Sequence, residues 1–155
     1  MSRGSVPAPS RLFTLLIGAT CSAILLQAIT AGVFVNQDGR DSWVSVHGVI
    51  ADVTWVVALA AAVVAFVRMR HTQRLLWRAA AVLFVLLLAQ TGVGHLITDG
   101  GVDGLIVVHV PLAMLIFGLA VWLSVATARA SRGADSPMEP YADEPAQPLS
   151  VANRR

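Results

Sequence analysis

Six polar side chains stand inside apolar stretches that would otherwise suit a membrane: Gln27, His47, Asp52, Gln90, His95 and His109. Ionisable and polar groups at such positions usually face the interior of a helix bundle and mark functional sites. Counting 1.5 Å per residue inward from the helix ends puts His95 about 3 Å deep, His47 about 6 Å and His109 about 7–8 Å. Gln27, Asp52 and Gln90 form a second level roughly 10–13 Å down. All six fall in the same half of the expected bundle, and His71 stands apart in a loop among arginines, where it reads as solvated. Imidazoles at one level on two different helices suit a b-type heme, whose iron takes a ligand on each face and whose macrocycle needs an apolar slot. His47 and His109 are the expected axial pair. Gly48 and Gly94, with Gly92 and Ala113, are small enough to let a macrocycle approach the backbone, and Pro111 removes a backbone donor near the His109 level.

Other chemistry is open to the same residues. His95 is shallower than the pair and is expected to hydrogen-bond a heme propionate or water rather than the iron. Three histidines on three helices could instead converge on a zinc ion. Asp52 is the costliest group, either a proton-relay or cation site or a structural hydrogen-bond partner of Gln27, Gln90 or Thr54. His47 and Asp52 are separated by about 140° around a helix, which argues against their forming a dyad.

The elements that must position these groups follow from composition. The chain has 155 residues, of which 56% are hydrophobic and 13% charged, about half the charge of a soluble domain. That excludes a soluble enzyme or a nucleic-acid binder, and a net charge of +2 is too small to suggest acidic partners. Cys21 is the one cysteine, so no internal disulfide can form. Four apolar stretches, 12–35, 43–67, 75–97 and 104–127, are each long enough to span a bilayer. The apolar run from Leu12 is too long for a signal-peptide core. Short polar joints, among them Asn36-Gln-Asp-Gly and Thr98-Asp-Gly-Gly, force neighbouring helices antiparallel, and Asp103 is placed to cap the fourth. The expected fold is therefore an all-α, up-down bundle of four transmembrane helices over residues 12–130.

Arginine placement predicts orientation. Arg3, Arg11, Arg68, Arg70, Arg74, Arg78, Arg129 and Arg132 flank one side, whereas the other joints hold Arg40 with Asp38, Asp41, Asp99 and Asp103. Both termini are then cytoplasmic and the histidines lie toward the outer face. Residues 1–11 form a cytoplasmic N-terminus, and 131–155, rich in proline and acids, read as a disordered cytoplasmic tail. No internal repeat is evident along the sequence.

A histidine just inside the second helix and another just inside the fourth, with the stretches Leu86-Leu-Leu-Ala-Gln-Thr-Gly-Val-Gly-His-Leu and Val107-Val-His109-Val-Pro-Leu-Ala-Met-Leu, resemble one half of the heme A synthase family. The likeness covers residues 12–127 and implies a four-helix, cytochrome b-like bundle in which His47 and His109 bracket a heme on the outer side. Val44 and Gly48 stand where the family carries an acidic and a basic residue, its outer-loop cysteine pair is missing, and the length suits one bundle rather than two. There is a weaker likeness to small four-helix membrane proteins to which no activity is attached. The leading expectation is a multi-pass protein of a bacterial plasma membrane that binds heme b for electron transfer or heme carriage, with a membrane redox partner or a second copy of itself. A cofactor-free scaffold and a small oligomeric transporter built around Asp52 are the alternatives. No catalytic constellation is expected.

Overall fold

The computed structural model describes residues 8–36 and 40–135. Four helices follow in order: α1 (Arg11–Asn36), α2 (Arg40–Met69), α3 (Arg74–Thr98) and α4 (Ile106–Asp135), the last entered through a single 3₁₀ turn over Asp103–Leu105. All four are long and apolar enough to cross a membrane, with mean hydropathies from 2.0 to 2.4. The protein is thus all-helical, with the spans a multi-pass membrane protein requires.

Ends and corners follow local chemistry. The Ser10 hydroxyl accepts the Phe13 amide at 3.2 Å and so caps α1. Between α3 and α4, Gly101 adopts φ +67°, and the Val102 amide returns to the Leu96 carbonyl at 3.1 Å. Gly100 is needed there too, because a Cβ would lie 2.7 Å from the Leu96 carbonyl oxygen.

α2 begins three residues before its expected span and ends two after it, and two other boundaries differ in kind. Asp103 does not cap α4: it sits inside the 3₁₀ turn, Val102 precedes that turn, and no side chain caps it. At the other end α4 continues through Ser131 to Asp135, so the first residues assigned to the tail are helical. Alanines and arginines favour helix there, and Pro137 lies just beyond. The remaining tail 136–155, the segment 1–7 and the 37–39 part of the first turn lie outside the described residues.

The helices pack in a ring, α1 on α2, α2 on α3, α3 on α4 and α4 back on α1, and among the described residues the backbones of neither diagonal pair come this close. Buried positions recur at spacings of three and four along every helix: Phe13, Ile17, Thr20 and Ile24 on α1; Thr54, Ala58, Ala61, Ala65 and Met69 on α2; Leu76, Ala80, Leu83, Leu87 and Gln90 on α3; Ile116, Ala120, Leu123 and Thr127 on α4. That spacing keeps one seam of each helix turned inward. The apolar core occupies the half of the bundle that holds the α2–α3 corner, where alanines on α2, α3 and α4 permit close approach. Exposed Arg11, Arg68, Arg70, Arg74, Arg78, Arg129 and Arg132 ring that same end.

These buried positions also expose an internal repeat that residue identity conceals. Advancing α1 by 63 residues carries Phe13, Ile17, Thr20 and Ile24 onto Leu76, Ala80, Leu83 and Leu87 of α3. Advancing α2 by 62 carries Thr54, Ala58, Ala61 and Ala65 onto Ile116, Ala120, Leu123 and Thr127 of α4. In the ring of helices α3 lies diagonal to α1 and α4 to α2, so the α1–α2 and α3–α4 hairpins correspond in their buried positions. The same shifts carry Gln27 onto Gln90 and His47 onto His109. The relation is not perfect, since α3 and α4 pack less closely on each other than α1 and α2 do.

Leu83 is fully buried at the centre of the packed half. In lipid its truncation loses contacts and opens a cavity, with little transfer penalty, so Leu83→Ala should cost on the order of 2 kcal/mol in reversible unfolding in detergent. Exposed Leu88→Ala should change stability by less than about 0.5 kcal/mol.

Candidate functional site

The opposite half of the bundle is open. Two cavities lie there, of about 410 Å³ and about 330 Å³, each within the range of small-molecule sites. Gln27, His47, Leu87, Gln90 and His109 belong to the walls of both. The smaller cavity is otherwise apolar, bounded by residues such as Ile24, Ala28, Ala113, Met114 and Phe117. The larger one opens past Asp52, His95 and Asp99. The ring order of the helices puts α2 and α4 on a diagonal, so His47 and His109 approach the shared space from opposite sides.

His47, half-buried on α2, places Nδ1 3.1 Å from the Gln27 carbonyl oxygen and 3.1 Å from the Thr30 hydroxyl. A carbonyl can only accept, so Nδ1 carries the proton and the lone pair lies on Nε2. The Thr30 hydroxyl donates its own proton to the same Gln27 carbonyl at 3.0 Å, which leaves its oxygen free to accept from the ring. A backbone carbonyl on Nδ1–H is the support that metal-ligating histidines commonly use, fixing tautomer and ring orientation together.

His109 is held differently. Its backbone carbonyl accepts Gln90 Nε2 at 2.9 Å, while its ring Nδ1 is buried without a hydrogen-bond partner. The ring packs over Gly94, where an added Cβ would lie 3.5 Å from His109 Cε1. Gly94 thus sits in ordinary contact with the site. Gly48 borders open space, as does Gly92, and a Cβ at either would meet no neighbouring atom within 4 Å. Gln90 Oε1 is also buried and unpartnered.

His95 and Asp52 do not join this centre. The His95 side chain is 51% exposed and places Nδ1 3.1 Å from Asp99 Oδ2. Its Nε2 lies 3.7 Å from Asp52 Oδ1, and the Asp52 side chain is 55% exposed. Asp52 also accepts Trp55 Nε1 at 3.4 Å. The expected partners are engaged elsewhere: Thr54 bonds the Ile50 carbonyl and Gln90 bonds His109. Asp52 is therefore not a buried polar group as expected but part of an Asp52–His95–Asp99 cluster at the larger cavity, in which Asp99 bonds His95 Nδ1 and Asp52 lies at ion-pair distance from Nε2. Nor do three histidines converge: among the described residues no group of three His, Cys, Asp or Glu side chains is arranged to hold a metal ion.

Thr30 and Asp99 escaped the sequence reading. Thr30 resembles any membrane-helix threonine that bonds its own helix, and its second contact crosses to α2. Asp99 reads as a turn residue and is one, with its side chain turned back one helical turn onto His95.

The unpaired Gln90 Oε1 makes a specific prediction. Gln90→Leu removes one hydrogen bond and one buried, unsatisfied acceptor together, so unfolding of the cofactor-free protein should shift by less than about 1 kcal/mol. A loss well above that in detergent unfolding would mean that Oε1 has a partner.

The fold and this site stand without a relative to compare: no protein-family model matches the chain, and no curated protein or solved structure does either.

Proposed function

We propose that the chain binds a b-type heme between His47 and His109, and serves electron transfer or heme carriage in a membrane. The observation that carries this reading is the pairing of two histidines on diagonal helices at a wall common to two largely apolar cavities. The donor set fits the group. His47 has the tautomer that presents Nε2 as a ligand, and the His109 ring borders the same two cavities from the diagonal helix. The apolar lining contributed by Ile24, Ala28, Ala113 and Phe117 suits a macrocycle and excludes water. Gly94 lets the His109 ring lie against α3. A heme held by two imidazoles supplies one-electron chemistry, with neither face open at rest.

In this reading the arginine-ringed end faces the cytoplasm with both termini, and the histidine end lies near the outer face. The likeness to half of a heme A synthase bundle agrees with the placement of the two histidines, and a bacterial plasma membrane with a membrane redox partner is the setting. The residues in hand serve binding rather than bond-making, so heme carriage or electron transfer is favoured over synthesis.

Purification in detergent from cells supplied with hemin should yield a coloured protein with a six-coordinate, low-spin absorption spectrum and a pyridine hemochrome of the b type. His47→Ala and His109→Ala should each abolish the six-coordinate spectrum, while His95→Ala and Asp52→Asn leave it unchanged. A colourless preparation overturns the proposal.

A further inference from the structure

The two histidines at the centre of the bundle are equivalent by position and unequal by support. His47 Nδ1 is held by the Gln27 carbonyl and the Thr30 hydroxyl, each at 3.1 Å. The shift that carries Gln27 onto Gln90 carries Thr30 onto Val93. The hydroxyl thus has no counterpart in the second hairpin, and His109 Nδ1 is buried with no hydrogen-bond partner. The surroundings of the two rings differ in the same sense. α4, which carries His109, packs less closely against its neighbours than the other three helices do, and it supplies Ala113, Met114 and Phe117 to the wall of the smaller, apolar cavity that both rings border.

A ring whose Nδ1–H is bonded to a carbonyl is oriented in advance and made more basic at Nε2, and loss of such a partner typically weakens metal binding about 10–100-fold. A ring without that support can turn away at lower cost, and more easily on a loosely packed helix. We infer that, on the heme-binding reading above, His47 is the permanent ligand and His109 the exchangeable one. A small neutral donor of the carbon monoxide or imidazole class then takes the place of His109 from the apolar cavity. Thr30 acts here as a positioning residue: it touches His47 and secures the inequality through it.

The test uses full-length protein loaded with hemin in detergent, reduced with dithionite and titrated with carbon monoxide. The wild type should lose its six-coordinate bis-imidazole spectrum and form a carbon monoxide adduct. Val93→Thr, which restores the missing hydroxyl on the His109 side, should weaken apparent carbon monoxide affinity about tenfold. His109→Ala should retain heme with one protein ligand, whereas His47→Ala should lose it. In the heme-free protein, ¹⁵N spectra of the histidine side chains should show the Nδ1–H tautomer for His47 and not for His109. A wild type that keeps its six-coordinate spectrum under saturating carbon monoxide overturns the inference and leaves the heme-binding reading intact. So does a Val93→Thr variant indistinguishable from wild type, or the same tautomer for both rings. Protein that takes up no hemin overturns the heme-binding reading, and this inference with it.

Discussion

Hydrocarbon offers no hydrogen-bond partner, and that one constraint accounts for most of the polar geometry in this bundle. Thr20, Thr54 and Thr127 lie on the buried seams, and each turns its hydroxyl onto the carbonyl one turn earlier in its own helix. Gln90 reaches across to the His109 carbonyl, and His47 reaches across to Gln27. With such a rule in force, a buried polar atom left unsatisfied is costly. Two such atoms, Gln90 Oε1 and His109 Nδ1, lie in the open half of the molecule, on residues joined by the Gln90 Nε2 bond to the His109 carbonyl. Their position, more than their number, distinguishes this half from the packed one.

The division into halves has a simple origin in side-chain size. Alanines on three helices bring the backbones together around Phe13, Ile17, Leu83 and Leu123 at the arginine-ringed end. At the other end the inward positions pass to glutamine, histidine and glycine, which do not fill the same space. The packed half works as a clamp that fixes the helix directions. In the open half the cross-helix contacts are polar and few, chiefly His47 with Gln27 and Thr30 and Gln90 with His109.

The spans were legible in the sequence because hydropathy and length act directly on each helix. Expected and observed helices agree except where local chemistry prevailed, at the 3₁₀ turn over Asp103–Leu105 and in the alanine-rich end of α4. Depth counted along a helix placed His47 and His109 at one level and Gln27 and Gln90 at the next, and the four line the walls of the same cavities. Depth says nothing about direction around the axis, which is why Asp52 was assigned inward and is found at the mouth of a cavity with His95. The internal repeat escaped for a different reason. It is written in which positions are buried, and residues as unlike as Thr20 and Leu83 can occupy corresponding places on a seam.

That repeat alters what the histidine pair can be. Two identical hairpins related by rotation would impose the same surroundings on both faces of anything bound between them, and any change would fall on both at once. Joining the hairpins in one chain releases this restriction. Val93 can differ from Thr30, and Gly94 from Ala31, without disturbing the shared geometry that aligns His47 with His109. The chain thus keeps the alignment that symmetry supplies and gains independent adjustment of each side.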